Sequence, residues 1–385
     1  MRKAVHYPVI ELVGVHAANM GATLMLEAAV DQLRARLPQA LIAGSIHLPD
    51  ALRQRLDLEA VLPAEDLGMR KTISGLWRSL RTPTVRRSQI DVILDISGFA
   101  YGDSWPIRKM RTRLLNPLRG AMNGRPRVIL LPQAFGPFKR PKHAAMMGEA
   151  IDRAELIFAR DQESLDHLRN LRPSAKNLRL GPDFTNLVKP KHSPMTAVEA
   201  VGYIVPNAKV PKAYPALAEP YLEFLRSAVE TMRREAIEPR FLVHEGEGDA
   251  LLAQKANSLL KEQAEIVRPA DAVQAKVLLA QARCVVSSRY HALIGSLSSG
   301  VPSLACGWSH KYGALLADYG QAGMEVDLMS PGSWAELVKT TCDWSNAEEL
   351  LQAAERERAR ARDMWTEVFD HLAAGPLSPE PSSPK

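Results

Sequence analysis

At 385 residues, 46% hydrophobic and 24% charged, the chain can build two globular domains with ordinary cores. Its three cysteines, Cys284, Cys306 and Cys342, lack zinc-ligand or disulfide-scaffold spacing and fit reduced thiols, and no run of about eighteen apolar residues offers a membrane span. The net charge of +6 is mild; it fits an anionic substrate or an anionic membrane surface, and no motif accompanies it that would recognise nucleic acid.

The N-terminal MRKAVHYPVIELVGV is too short and too polar for a signal peptide, and residues 8–15 read as a buried strand. A loop, HAANMGA, leads into the helical TLMLEAAVDQLRARL. Short apolar runs follow: LIAGSI, DVILDISG (91–98), RVILLPQ (127–133), LIFARD within 155–161, and NLRLGPD (177–183). Helical patterns such as MMGEAIDRA and QESLDHLRNL lie between them. This alternation predicts a parallel sheet with helices on both faces. Residues 187–200, with two prolines and no period, read as a linker. The alternation then restarts with VGYIVPN, a helix over 214–235, RFLVHEGEGD, the helical LLAQKANSLLKEQ, EIVRP, a helix over 271–282, RCVVSS, a further helix, VPSLACG and MEVD. A last helix begins near 346, and the Pro/Ser-rich GPLSPEPSSPK is expected to be disordered. The expected architecture is α/β: two Rossmann-like parallel-sheet domains facing a cleft. The first covers 1–190 on the acceptor side and the second covers 191–345. A helix over 346–373 packs back, and a tail over 374–385 is disordered.

Ligands of open parallel sheets bind beyond the C-terminal strand ends, so the loops there hold the candidates. The densest is SSRYHALIGSLSSGVPSLACGWSHKYG, residues 287–313. It reads as a strand ending in two serines, a helix closed by Gly300 at C′, a strand and a loop. Ser287 or Ser288 can cap the helix. Arg289, Tyr290 and His291 then fill its first turn, where backbone N–H groups and the dipole favour an anion. A cation there asks for an anionic partner, so Arg289 either grips a ligand or braces the loop. His291 can move a proton near neutral pH; the other reading is a core or capping histidine. His310 and Lys311 reach the same sheet edge, where a lysine can meet phosphate or carboxylate as a point charge, unless they form an exposed turn. Arg160 ends a strand, directed at the cleft or paired locally, and Asp161 is a natural N-cap. Asn19 and Gly21 offer an amide for a hydroxyl and a close backbone approach, with no GxGxxG or P-loop pattern. HEGEGD (244–249) either touches a substrate hydroxyl or is solvated. Basic clusters at 70–87 and 108–119 interleave with Trp77, Leu80 and Leu114, a pattern that suits an anionic membrane surface or an ordinary solvated face.

Together these residues resemble the polysaccharide pyruvyl transferase family. The match is carried by SRYHAL, GVPSLA and HKY, with support from Asn19-Met20-Gly21, LPQAFGPF (131–138), ARDQES (159–164) and GPDF (181–184). The resemblance implies a GT-B-like fold and transfer of the enolpyruvyl carbons of phosphoenolpyruvate to a saccharide, free or lipid-linked, to give a pyruvate ketal in cell-surface or exopolysaccharide synthesis. It needs no metal or other cofactor, and it implies a cytoplasmic protein, peripheral to the inner membrane face where the acceptor is lipid-linked. By matching position His291 would be the general acid. Arg160 and Lys311 would bind the donor's phosphate and carboxylate, with Ser288, Arg289 and His310 beside them. Asn19, Gly21 and Asp103 would serve the acceptor. Two departures stand out: Ala22 replaces an acidic residue, for which Asp103 is the candidate substitute, and SGFAYGDSW replaces a glycine run. The alternatives are a GT-B glycosyltransferase using a nucleotide sugar, with Glu325 or Asp327 as late carboxylates, and a catalytically dead binding protein.

Overall fold

The computed structural model describes residues 7–17, 19–61, 83–121, 124–188, 200–307, 311–345 and 347–374. The chain forms two compact units. Unit 1 takes Met1–Ala17, Met25–Asp183 and Arg362–Lys385, and unit 2 takes Ala18–Leu24 and Phe184–Ala361. The boundary thus falls at Asp183–Phe184 rather than at 190. The start of the first helix, Ala18–Leu24, groups with unit 2, and the final helix, Ala347–Ala374, contributes to both units. The expected linker and tail lie largely outside the described residues, at 189–199 and 375–385.

Unit 1 is built on β1 (Val9–Val13), β2 (Leu41–Ser45), β3 (Glu59–Val61), β4 (Thr84–Val85), β5 (Val92–Asp95), β6 (Phe99–Tyr101), β7 (Arg127–Phe135), β8 (Leu156–Ala159) and β9 (Leu178–Leu180). The order is β4-β3-β2-β1-β5-β7-β8-β9, with β6 beside the end of β7, and the pairings are parallel. Central strands such as β5 and β8 are buried at every position. That explains why they read as unbroken apolar runs: helices cover both faces, so neither face needs polar residues. The Pro141–Arg153 helix turns Met147, Ala150 and Ile151 inward, and the Gln162–Leu171 helix turns Leu165 and Leu168. This three-and-four spacing is the apolar stripe of an amphipathic helix, and each such buried Leu contributes about 1.5–3 kcal/mol. Leu114 also turns into this core, so residues 108–119 are an amphipathic helical segment rather than a basic face interleaved with exposed apolar groups. Trp77 and Leu80 lie outside the described residues. Among the described residues, no helix is long and apolar enough to cross a membrane.

Unit 2 carries β10 (Val201–Val205), β11 (Glu238–Leu242), β12 (Glu265–Val267), β13 (Cys284–Ser287) and β14 (Ser303–Ala305), ordered β12-β11-β10-β13-β14 and parallel. Its core gathers Phe224, Leu225, Phe241, Val286 and Trp334. Cys284 and Cys342 sit inside it with their sulfurs 3.2 Å apart, and all three cysteines are free and buried. Gly300 closes the Tyr290–Leu297 helix at φ +76, and a Cβ there would also lie 2.3 Å from Leu351 Cδ2. Left-handed backbone and lack of space both demand glycine. Strand order reverses between β1 and β5 in unit 1 and between β10 and β13 in unit 2. Such switch points are where open α/β sheets hold ligands.

Candidate active site

The switch point of unit 2 is framed by the residues that follow β10 and β13. Asn207 Nδ2 donates to the Ser288 carbonyl at 2.9 Å, and Tyr312 Oη donates to the same carbonyl at 3.0 Å. Tyr221 Oη donates to Ser288 Oγ at 2.7 Å and accepts from Asn207 N at 2.9 Å. Ser288, 1% exposed, is therefore held on both its carbonyl and its hydroxyl, which fixes the loop leading into the Tyr290–Leu297 helix. The cap differs from expectation. Arg289 occupies the N-cap position with no side-chain cap bond, and Ser287 Oγ accepts instead from Arg289 N at 3.0 Å. The first turn of this helix keeps backbone N–H groups without a side-chain cap.

The anion that Arg289 requires is internal. Its Nε donates to Asp249 Oδ2 at 2.9 Å, its Nη2 meets Asp249 Oδ1, and its Nη1 meets Glu245 Oε2. Asp249 also accepts from Ala208 N and Glu245 N, each at 3.0 Å. Lys209 Nζ and Asn19 Nδ2 reach Glu245 Oε1 at 3.0 and 3.4 Å. Burial pushes the Asp249 carboxyl up to about 7 and draws the Arg289 guanidinium down to about 10. The Ala208 N–H and the Lys209 ammonium oppose the rise at Asp249, and the planar guanidinium fork engages both of its oxygens. HEGEGD is thus neither solvated nor open to a hydroxyl at these two carboxylates: it is the clamp that fixes Arg289.

His291 projects from the helix's first turn against Gly21, where a Cβ would lie 2.2 Å from His291 Nδ1. Gly21 and Asn19 therefore stand with the second-domain residues, and Gly21 is glycine because an imidazole fills the space. His244 lies next to His291 electrostatically. Burial first, then Arg289 and His291, lowers His244 to about 3, so it is neutral at physiological pH. The Tyr290 ring stands edge-on to His291 at 5.7 Å and carries Lys311 Nζ over its face at 5.4 Å. Lys311 and His291 thus flank one aromatic ring. His310 lies outside the described residues.

Arg160 and Asp103 belong to unit 1 and have local tasks there. Arg160 Nη1 pairs with Asp183 Oδ2 at 3.2 Å, both side chains 3% exposed. Asp161 caps the following helix by accepting from Ser164 N at 2.7 Å. Asp103 accepts from Lys139 N at 2.6 Å and from Arg140 N at 3.3 Å, tying down the loop before the Pro141–Arg153 helix. Sequence reasoning missed Asn207, Lys209 and Tyr221. Asn207 had a signal, since it stands just past a buried strand, whereas Tyr221 lies within an ordinary amphipathic helix. Among the described residues no cluster of three His, Cys, Asp or Glu groups is suited to a metal.

Two parallel sheets covered by helices, each with polar residues at its C-terminal strand ends, define a GT-B-like fold. Solved structures agree on the fold. S. aureus MnaA with UDP aligns over 95% of this chain and 97% of its own at 11% identity and a TM-score of 0.61. UDP-GlcNAc 2-epimerase from Neisseria meningitidis aligns over 94% and 100% at 10% identity and a TM-score of 0.56. The glycotransferase of kitacinnamycin gives 95% and 100% coverage at 15% identity and a TM-score of 0.52. Among curated proteins no sequence matches this one. The polysaccharide pyruvyl transferase family model matches residues 19–310, and the chain belongs to that family.

Proposed function

We propose that the protein transfers the pyruvyl carbons of phosphoenolpyruvate to a saccharide, forming a ketal across two hydroxyls and releasing phosphate. The observation that carries this is the juxtaposition in unit 2 of His291 with a neutral His244, an uncapped helix start and Lys311. His244 is held neutral at physiological pH, so in this reading His291 is the proton donor of the pair.

In this reading the first-turn N–H groups and Lys311 bind the anionic donor. His291 gives its proton to the methylene carbon of the enol phosphate, and positive charge develops at the neighbouring carbon. One sugar hydroxyl adds there and loses its proton. The bond from that carbon to the phosphate oxygen then breaks, and the second hydroxyl takes its place. One hydroxyl proton restores His291 and the other leaves with phosphate, so the atoms balance without an oxidant. Ser288 and Arg289 act through the loop that aims His291, and Arg160 enters the donor site only by family resemblance. Phosphoenolpyruvate would place the reaction in the cytoplasm, at the membrane face where the acceptor is lipid-borne.

Incubation with phosphoenolpyruvate and a panel of saccharides tests this. Stoichiometric phosphate release with addition of pyruvate, less water, to one acceptor supports it. Phosphate release without any change in acceptor mass contradicts it.

A nucleotide-sugar reading has one observation in its favour. Glu325 stands beside Gly307 and Gly313, where Cβ atoms would lie 2.6 and 3.2 Å from its oxygens. Burial pushes its carboxyl up, and no hydrogen bond or ion pair engages it among the described residues, so it could accept from sugar hydroxyls. Turnover of UDP-GlcNAc by the same preparation, with phosphoenolpyruvate absent, would favour that reading.

A further inference from the structure

The switch point of unit 1 is as well furnished as that of unit 2, and nothing above uses it. Gly14 follows β1 at φ +100, and a Cβ there would lie 2.3 Å from Ser97 Oγ, just beyond β5. The two strand ends approach each other with only glycine between them. Asp95, 1% exposed, ends β5, accepting from Ser97 N at 2.8 Å and from Tyr101 Oη. Its oxygens are thereby spent on the loop. Above it a short helix, Ile107–Met110, runs into one π-helical turn, Arg111–Leu115, and such turns recur at functional sites. The turn brings Arg113 Nη1 to within 3.5 Å of Ser97 Oγ. One turn earlier, Lys109 Nζ lies 3.7 Å above the Trp105 ring. Lys109 and Arg113 are both half-buried, and neither has a carboxylate within 4.0 Å among the described residues. The Trp105 indole N–H is buried there without a hydrogen-bond partner among the described residues.

Two half-buried like charges at one strand edge repel each other, and the nearby Asp95 carboxylate only partly offsets this. Burial and then Arg113 draw Lys109 down to about 8, with Asp95 opposing, so the ammonium would be relieved by an incoming negative group. We propose that Trp105, Lys109 and Arg113 form an anion subsite for a carboxylate or phosphate on the saccharide acceptor. The proposal rests on the pyruvyl-transfer reading for the word acceptor, but not for the anion. An indole N–H beside two cations fits an anionic sugar: the cations take the charge and the Trp105 N–H can donate to an oxygen of the anion.

The test is titration of the full-length protein with glucose 1-phosphate, glucuronate and glucose, followed by calorimetry and by the Trp105 indole resonance. Wild type, Lys109→Met, Arg113→Gln and the charge-keeping Lys109→Arg are compared, with phosphoenolpyruvate titrated into each. The expected result is that one or both anionic sugars bind at least about tenfold more tightly than glucose, by the usual worth of charge-assisted contacts. Lys109→Met and Arg113→Gln each lose that preference, Lys109→Arg keeps it, and phosphoenolpyruvate affinity is unchanged. Response to glucose 1-phosphate alone assigns a phosphate, and to glucuronate alone a carboxylate. Equal binding of glucose and the anions, or anion binding that survives both neutral variants, overturns the subsite. A parallel loss of phosphoenolpyruvate binding overturns its assignment to the acceptor. If anionic sugars bind as expected while wild type never binds phosphoenolpyruvate, the subsite stands and the pyruvyl-transfer reading falls.

Discussion

Gly21 and His291 illustrate how one atom decides a site. A methyl group at Gly21 would overlap the imidazole, which must then turn or retreat. Misplacement by about 1 Å can cost a hundredfold in rate. Gly21→Ala is therefore expected to shift the His291 imidazole resonances and to lower turnover about a hundredfold, with the fold intact by circular dichroism; unchanged resonances would contradict the packing. His244 gives a pH prediction. Its folded value lies well below its ordinary 6.5, at about 3. The stability gained by keeping it neutral is complete above 6.5 and is lost as pH falls from there towards 3, because only the unfolded chain takes up the proton in that window. Urea unfolding should show a shallower loss of stability between those limits in His244→Asn than in wild type. Arg289→Ala strands the buried Asp249 without its fork and should cost about 3–5 kcal/mol. Lysine should not restore it, since a point charge cannot engage Asp249 and Glu245 at once.

The elements were legible where burial wrote itself into composition. Residues 91–98, 127–133 and 155–161 each contain a strand because central parallel strands are apolar on both faces. The helix expected over 214–235 begins later, at Ala218, after a short turn around Pro215, since proline restricts the residue before it to extended backbone. The brief β3, β4 and β6 left too few residues for any period, and the π-turn at Arg111–Leu115 has no sequence signature. The dense 287–313 stretch offered His291 and Lys311 as candidates, but Arg289's partners come from a loop forty residues earlier, a distance that only the fold closes. The Ser164 N–Asp161 contact is a local signal that was readable in advance. Asp161→Ala should cost about 0.5–2 kcal/mol, the usual worth of an N-cap, measured by denaturant unfolding, without altering phosphoenolpyruvate affinity.

At the scale of the molecule, sequence pattern foresaw two α/β units but not their interleaving. Alternation of strands and helices marks the number of sheets, whereas the grouping of Ala18–Leu24 with unit 2 depends on contacts far apart in sequence. That grouping places Asn19 and Gly21 beside the histidine and its clamp. Under the proposed reading, the net charge of +6 would favour capture of a trianionic donor and make that capture weaken with added salt. The most direct measurement is a calorimetric titration of phosphoenolpyruvate into wild type, His291→Ala and Lys311→Ala, with and without a saccharide panel. Saturable binding by wild type, weakened about tenfold or more in Lys311→Ala and retained in a His291→Ala protein that no longer turns over, is the predicted result. Absence of wild-type binding in every mixture, or binding indifferent to Lys311, would contradict the assignment of unit 2 as the donor site.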